Sequence, residues 1–252
     1  MIIQKTEHQI ELIRIACRIV GDTLSLMKSK VCVGITTKEL DTIAHDFIVS
    51  KGATPSFLNF DGFPASICTS VNEVVVHGIP NNYALKEGDI IGIDIGACYK
   101  GYHGDAARTF CVGQVSKSIQ NLVEVTKQCF YNGVEGLRAG DRVGKISSRV
   151  EALAKQHHYG IVKELVGHGV GANLHEDPQI PNYGHLDSGE YLPVSSVIAV
   201  EPMINLGRSD IRMLDDDWTI ITADRKPSAH YENTILIKND GIELLTLMEE
   251  ER

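Results

Sequence analysis

What the chain lacks narrows the field first. It has no long apolar run. The N-terminal stretch "MIIQKTEHQIELIRIACRIV" is interrupted by charge throughout, so neither a signal peptide nor a membrane span is expected. It has no C-x-x-C pair. Cys17, Cys32, Cys68, Cys98, Cys111 and Cys129 are scattered singly, which disfavours a structural zinc module and suits a reduced, cytoplasmic protein. Positive charge is short as well. With 24 Lys and Arg against 33 Asp and Glu, the formal charge is −9, and a nucleic-acid or anionic-membrane partner is disfavoured. No Pro/Gly/Ser-rich linker divides the chain, so residues 1–252 read as one fused unit. Its 252 residues, 43% of them apolar, suffice for a sizeable core.

Periodicity organises what is present. Thr6 and Gln9 make a capping-box pattern ahead of Ile10, Ile13, Val20 and Leu24, which predicts a helix over about 7–28. Thr36 and Glu39 repeat the pattern before Leu40, Ile43 and Phe47, with Gly52 as the stop. Short strands follow as far as Gly113. Helices are then expected again over about 117–136 and from Val143 to His157, the second ending before Gly160, and strands return around "SVIAVEPMI", "WTIITADR" and "ENTILIK". Gly34 and Gly140, Gly52 and Gly160, and Asp94 and Glu201 recur at a near-constant offset. The pattern predicts an internal duplication, with halves of about 1–115 and 116–252.

The stretch "GDIIGIDIGACYKGYHGDAARTF" reads as a hairpin with its turn near Tyr99-Lys100-Gly101, which places Asp94 and Asp105 opposite each other or nearly so. Opposed Cβ atoms lie about 4.5–5.5 Å apart, where two ionised carboxylates repel. A shared proton, an intervening cation or a solvated edge would each relieve this, and the apolar residues flanking Asp94 argue against the edge. Glu201 inside "VIAVEPMI", Glu232 at the head of "ENTILI" and His168 in "VGHGVG" add to the puzzle. If all five converge, the four carboxylates are balanced by two divalent cations rather than one. Oxygen donors with one imidazole suit Mn, Fe, Co or Zn, and such ions favour hydrolysis of an amide or ester, with phosphoesters still open. His77 in "EVVVHGIP" and His175 in "ANLHEDPQIP" are ordinary loop histidines on their own. Beside two metals they become candidates for substrate contact and oxyanion stabilisation. His103 in "YHGD" is mostly an ordinary loop residue, with orientation of Asp105 as its functional option.

Five segments, "SICTSVNEVVVHGIP", the hairpin above, "ELVGHGVGANLHEDPQIPNYG", "VIAVEPMI" and "DWTIITADRKPSAHYENTILI", together resemble the type I methionine aminopeptidases across nearly the whole chain. The resemblance implies an α+β pita-bread fold, two pseudo-symmetric halves around a dinuclear metal site. It also implies the roles. Asp94 and Asp105 hold one ion, His168 and Glu201 the other, and Asp105 and Glu232 bridge them. Glu201 is the general base, with His77 and His175 at the scissile amide. A methionine pocket maps onto Phe60, Phe63, Cys68, Trp218 and Leu174. Leu174 stands where an aromatic residue is common, and Phe57 where a cysteine is common. A monovalent cation is expected near Asn72, Val74 and Ser228. Only 30 residues separate Glu201 from Glu232, too few for the helical insertion of type II enzymes, so the short bacterial-like form is the closer match. The expected activity is removal of the initiator methionine from nascent proteins with a small second residue, by a monomer working at the ribosome or free of it. A prolidase-type aminopeptidase and a non-catalytic binding relative are the rivals.

Overall fold

Two threonines open the N-terminal helices. In the computed structural model, which describes residues 1–252, helix α1 runs Glu7–Lys30 and α2 runs Thr37–Ser50. Thr6 N–H donates to Gln9 Oε1 (2.8 Å) and Thr36 N–H to Glu39 Oε2 (2.8 Å), closing the capping boxes. Ser116 caps α3 (Lys117–Val134), and α4 spans Val143–Gln156. The expected stops differ in kind. Gly52 terminates α2 at φ 74°, but α4 is turned out by His158 at φ 59°, and Gly160 lies instead on the strand Gly160–Ile161. The two glycines therefore do not play equivalent parts.

The central hairpin joins the strands Ile90–Tyr99 and Tyr102–Cys111. Its turn takes only Lys100 and Gly101, at φ 49° and 82°, the paired left-handed geometry that suits a two-residue hairpin. Asp94 consequently faces Ala107, and Asp105 faces Gly96. The carboxylates are diagonal neighbours on one face, not directly opposed. The first hairpin strand also pairs with Ile67–Val71 and Thr54–Pro55. A second sheet of five strands orders Ile242–Leu244, Asn233–Ile237, Val197–Val200, Gly167–Gly169 and Glu176–Ile180. Two three-stranded sheets complete the frame.

There are two main cores. One packs α1 and α2 on the hairpin through Val20, Leu24, Leu40, Ile48, Ile91, Ile93 and Ile95. The other packs α3 and α4 on the five-stranded sheet through Phe130, Val134, Ile146, Val150, Ile198 and Ile235. A smaller cluster ties α1 to the second sheet by Ile10, Ile13 and Cys17 against Val197, Ala199 and Leu236. Hydrogen bonds join the sheets as well. Thr234 Oγ1 donates to the Asp105 carbonyl (2.7 Å), and Glu232 N–H donates to the Ala107 carbonyl (2.9 Å). No helix is long and apolar enough to cross a membrane. Phe130 is fully buried at the centre of its core. Phe130→Ala is expected to cost about 3–5 kcal/mol in chemical denaturation, through lost transfer energy and a residual cavity.

Candidate metal centre

The join between the two sheets is where the acids meet. Asp94 and Asp105 come from the hairpin and His168 from the short strand Gly167–Gly169. Glu201 is not inside a strand as its apolar neighbours suggested. It sits in the link between Val197–Val200 and Met203–Asn205, where the backbone leaves the sheet and frees its side chain. Asn182 holds it there, donating from Nδ2 to the Glu201 carbonyl at 3.0 Å. Glu232 immediately precedes Asn233–Ile237, and the Arg108 guanidinium donates to its carbonyl. Asp105 and Glu232 are 3% and 2% exposed. Asp94, His168 and Glu201 keep a little surface, which lines the cavity.

Their electrostatics are unfavourable as they stand. Burial pushes the Asp94 carboxyl up to about 7. Burial, reinforced by the neighbouring acids, holds Asp105, Glu201 and Glu232 well above the usual carboxylate range. His168 Nδ1 lies 2.9 Å from the Gly169 carbonyl, which can only accept, so this nitrogen carries the proton. Nε2 is then a bare lone pair, and it points at Asp105 Oδ2 (3.8 Å) and Glu201 Oε1 (3.6 Å). Burial keeps this imidazole neutral by lowering it to about 4. With the acids ionised these are three acceptors and no donor; without a cation the acids must instead keep protons that carboxyl groups ordinarily release. Asp94 Oδ1, Asp105 Oδ1 and Glu232 Oε1 are likewise buried without a hydrogen-bond partner. A divalent cation satisfies this donor set; a water has too few protons. Donor atoms of Asp105, His168 and Glu232 all lie within 4.8 Å of one another, as do those of Asp94, His230 and Glu232.

His230 and Arg108 are not marked out by the sequence reading. His230 stands two residues before Glu232, a spacing that puts both side chains on one face of an extended chain. That alternation in "HYEN" was the available signal. Arg108 is 3% exposed, stacks on Tyr231 at 4.1 Å and bonds Asn233 Oδ1 (2.8 Å) and Glu251 Oε2 (2.9 Å). Its charge partly offsets the rise at Glu232. His103 bonds Ser56 Oγ (2.8 Å), and no contact with the Asp105 side chain explains it.

The acids form the floor of a cavity of about 680 Å³. Its apolar wall is built by Phe57, Phe60, Phe63, Cys68, Leu174 and Trp218. Phe63 and Trp218 meet edge-on at 5.1 Å, and Phe60 meets the His175 ring at 5.2 Å. His77 adopts φ 58°, a left-handed conformation uncommon outside glycine and asparagine, which turns it into the cavity after the strand Val74–Val76. His175 packs edge-on to His168 at 4.3 Å. Burial lowers His77 to about 4 and lowers His175 as well, so both rings are neutral N–H donors at pH 7. Asn72 and Ser228 lie together, Ser228 N–H donating to the Asn72 carbonyl at 2.9 Å, while Val74 pairs with Ile221.

The family model for metallopeptidase family M24 matches residues 11–239. The chain belongs to metallopeptidase family M24. Among its M24 relatives, a methionine aminopeptidase of Clostridium perfringens is 48% identical over 248 residues, 98% of this chain and 100% of that one. The crystal structure of methionine aminopeptidase from Rickettsia prowazekii superposes with a TM-score of 0.96 at 40% identity, covering 98% and 100% of the two chains. Prolidase from Pyrococcus furiosus is more distant, with a TM-score of 0.81 at 25% identity over 98% of this chain and 66% of that one. The fold is thus the M24 pita-bread fold, and the M24 assignment brings divalent metal ions with it.

Proposed function

We infer that this chain removes the N-terminal methionine from peptides and nascent proteins with a small second residue. Near-full-length similarity to methionine aminopeptidases at up to 48% identity supports the reading. The observation that carries the chemistry is the His168 lone pair aimed at two carboxylates above an aromatic, sulfur-bearing wall. Asp94, Asp105, His168, Glu201 and Glu232 would hold two divalent ions, of cobalt, manganese, iron or zinc. When bound, such ions supply Lewis acidity and an acidified water.

The chain's own residues do the rest. Phe60, Phe63, Cys68, Leu174 and Trp218 take the thioether side chain, for which rings and a polarisable sulfur are good partners. Burial beside the acids raises the Cys68 thiol well above its usual value, which leaves it neutral, part of the wall. The free α-amine of a chain end, in its neutral form, would be held at the metal centre, which restricts cleavage to chain ends. Neutral His175 donates N–H to the scissile carbonyl oxygen as negative charge develops there, and neutral His77 stands beside the scissile amide. Glu201 takes the proton of the attacking water on a carboxylate oxygen and returns it to the departing amine.

The same reading treats residues 1–252 as one catalytic unit whose halves, 1–115 and 116–252, descend from a duplication. The helix pair that opens each half supports this. It also makes the enzyme a cytoplasmic monomer that meets nascent N-termini at the ribosome or free of it. A monovalent cation beside Asn72, Val74 and Ser228 belongs to it too.

The test is a paired assay of Met-Ala-Ser and Ala-Pro-Ala with Co(II) or Mn(II). Free methionine from the first peptide is expected. No methionine under either metal, or faster cleavage of Ala-Pro-Ala, overturns the reading. Trp218→Ala should raise KM for Met-Ala-Ser about tenfold or more while kcat changes less. Losing an aromatic wall costs about 1.5–3 kcal/mol, in the bound state and the transition state alike. A kcat loss at unchanged KM would remove Trp218 from the pocket role.

A further inference from the structure

His230 has no part in the reading above, yet it stands among the same acids. It ends the strand Ser228–His230, is 3% exposed, and its Nε2 has no hydrogen-bond partner. That nitrogen lies 3.8 Å from Glu201 Oε2 and 3.7 Å from Glu232 Oε2. Both separations exceed the ~2.7–3.2 Å of an N–H···O hydrogen bond. They match instead the 3.8 and 3.6 Å that separate His168 Nε2 from Asp105 and Glu201. Donors that share one cation at bond lengths of about 2.0–2.2 Å sit roughly 3–4 Å apart. The two imidazoles thus approach Glu201 at different oxygens, His168 at Oε1 and His230 at Oε2. Each belongs to its own three-residue group of closely spaced donors, and Glu232 is common to both groups.

We propose that His230 Nε2 is a metal ligand, completing with Asp94 and Glu232 a nitrogen-containing site beside the one built from Asp105, His168 and Glu232. This rests on the two-ion reading above and deepens it. With His230 as ligand, each ion has one imidazole. An orphaned imidazole nitrogen buried against two carboxylates is costly in the metal-free chain, and the same nitrogen becomes satisfied when an ion lies between them. Imidazole donors suit Co(II), Fe(II) and Zn(II), whereas Mg(II) and Mn(II) are served by oxygen. The His230 side of the centre therefore favours the first group over the second.

The full-length chain, stripped with chelator and reloaded with Co(II), tests this by calorimetric titration and X-ray absorption spectroscopy. The wild type is expected to bind two Co(II) with about one imidazole per cobalt. His230→Gln should bind one of the two ions more than tenfold more weakly, with the imidazole count per cobalt halved and Mn(II) affinity changed much less. His230→Ala should regain Co(II) affinity when free imidazole is added. Melting curves of the metal-free variants establish that each is folded, and the imidazole count of the wild type needs no variant at all. Two cobalt ions bound with only half an imidazole each, or a His230→Gln affinity within twofold of wild type, overturns the His230 assignment alone. Fewer than two cobalt ions in the wild type overturns the two-ion reading beneath it.

Discussion

Glu201→Gln lowers kcat for Met-Ala-Ser by about a thousandfold or more under saturating metal. The substitution keeps the shape and the Asn182 contact, which is made to the backbone carbonyl. It removes the one property the reaction needs, an oxygen that can accept a proton and give it back. General-base loss alone is worth about 10²–10⁴ in rate, and an amide is a poorer ligand besides. The same change acts on stability in the opposite direction. In the metal-free chain Glu201 is a buried acid beside Asp94 and Asp105, both of which raise it further. Replacing it with a neutral side chain relieves that repulsion, so metal-free Glu201→Gln melts higher than metal-free wild type. A variant that keeps more than a tenth of kcat removes Glu201 from the base position, and one that melts lower without metal contradicts its repulsion by Asp94 and Asp105.

Metal removal is the second large effect, and pH gives it a signature. Ligands that bind only the folded chain add about 4 kcal/mol each at a thousand times Kd. For a chain of this size two such ions correspond to roughly 15–30 °C in Tm. Without them, the folded chain keeps protons that the unfolded chain would release, because burial raises Asp94 to about 7 and, with the neighbouring acids, raises Asp105, Glu201 and Glu232 well above the usual carboxylate range. Stability from such groups is present at acid pH and is lost as pH rises through their folded values. His168 and His230, lowered to about 4 and about 3, have the opposite sign. The unfolded chain protonates them first, so their stability is lost as pH falls below about 6.5, the ordinary histidine value. Above that pH the histidine contribution fades and the carboxylates dominate the proton balance of this cluster. Between pH 6.5 and 8.5 the metal-free Tm should therefore fall while the Mn-loaded Tm stays nearly level, the ions having replaced the protons. Differential scanning calorimetry of both forms across that window decides it. A metal-free Tm that is flat or rising contradicts the acid cluster as described.

Much of this was legible in the residues, for local reasons. The capping boxes at Thr6 and Thr36 mark helix starts through short-range hydrogen bonds, and the structure forms them as read. The hairpin follows from two apolar strands around Lys100-Gly101. The register falls at one end of the range the turn allowed: a turn of only Lys100 and Gly101 leaves Asp94 and Asp105 diagonal rather than directly opposed. Glu201 looked like a strand residue because its neighbours are apolar. The chain leaves the sheet at Glu201-Pro202, and a proline next in line was the hint. Arg108 stayed invisible because its partners Asn233 and Glu251 lie far along the chain, and only the tertiary fold brings them near. His230 was hidden beside Glu232, where one acid already seemed to account for the segment. Its role depends on a register across sheets that no periodicity reveals.

The central claim is that acids from both sheets meet because paired divalent ions belong between them. Crystals of the full chain grown with excess manganese, with data collected at the manganese absorption edge, address it directly. Two anomalous peaks are expected in the hollow bounded by Asp94, Asp105, His168, Glu201 and Glu232. An empty hollow, with manganese bound only elsewhere on the chain, would contradict the account.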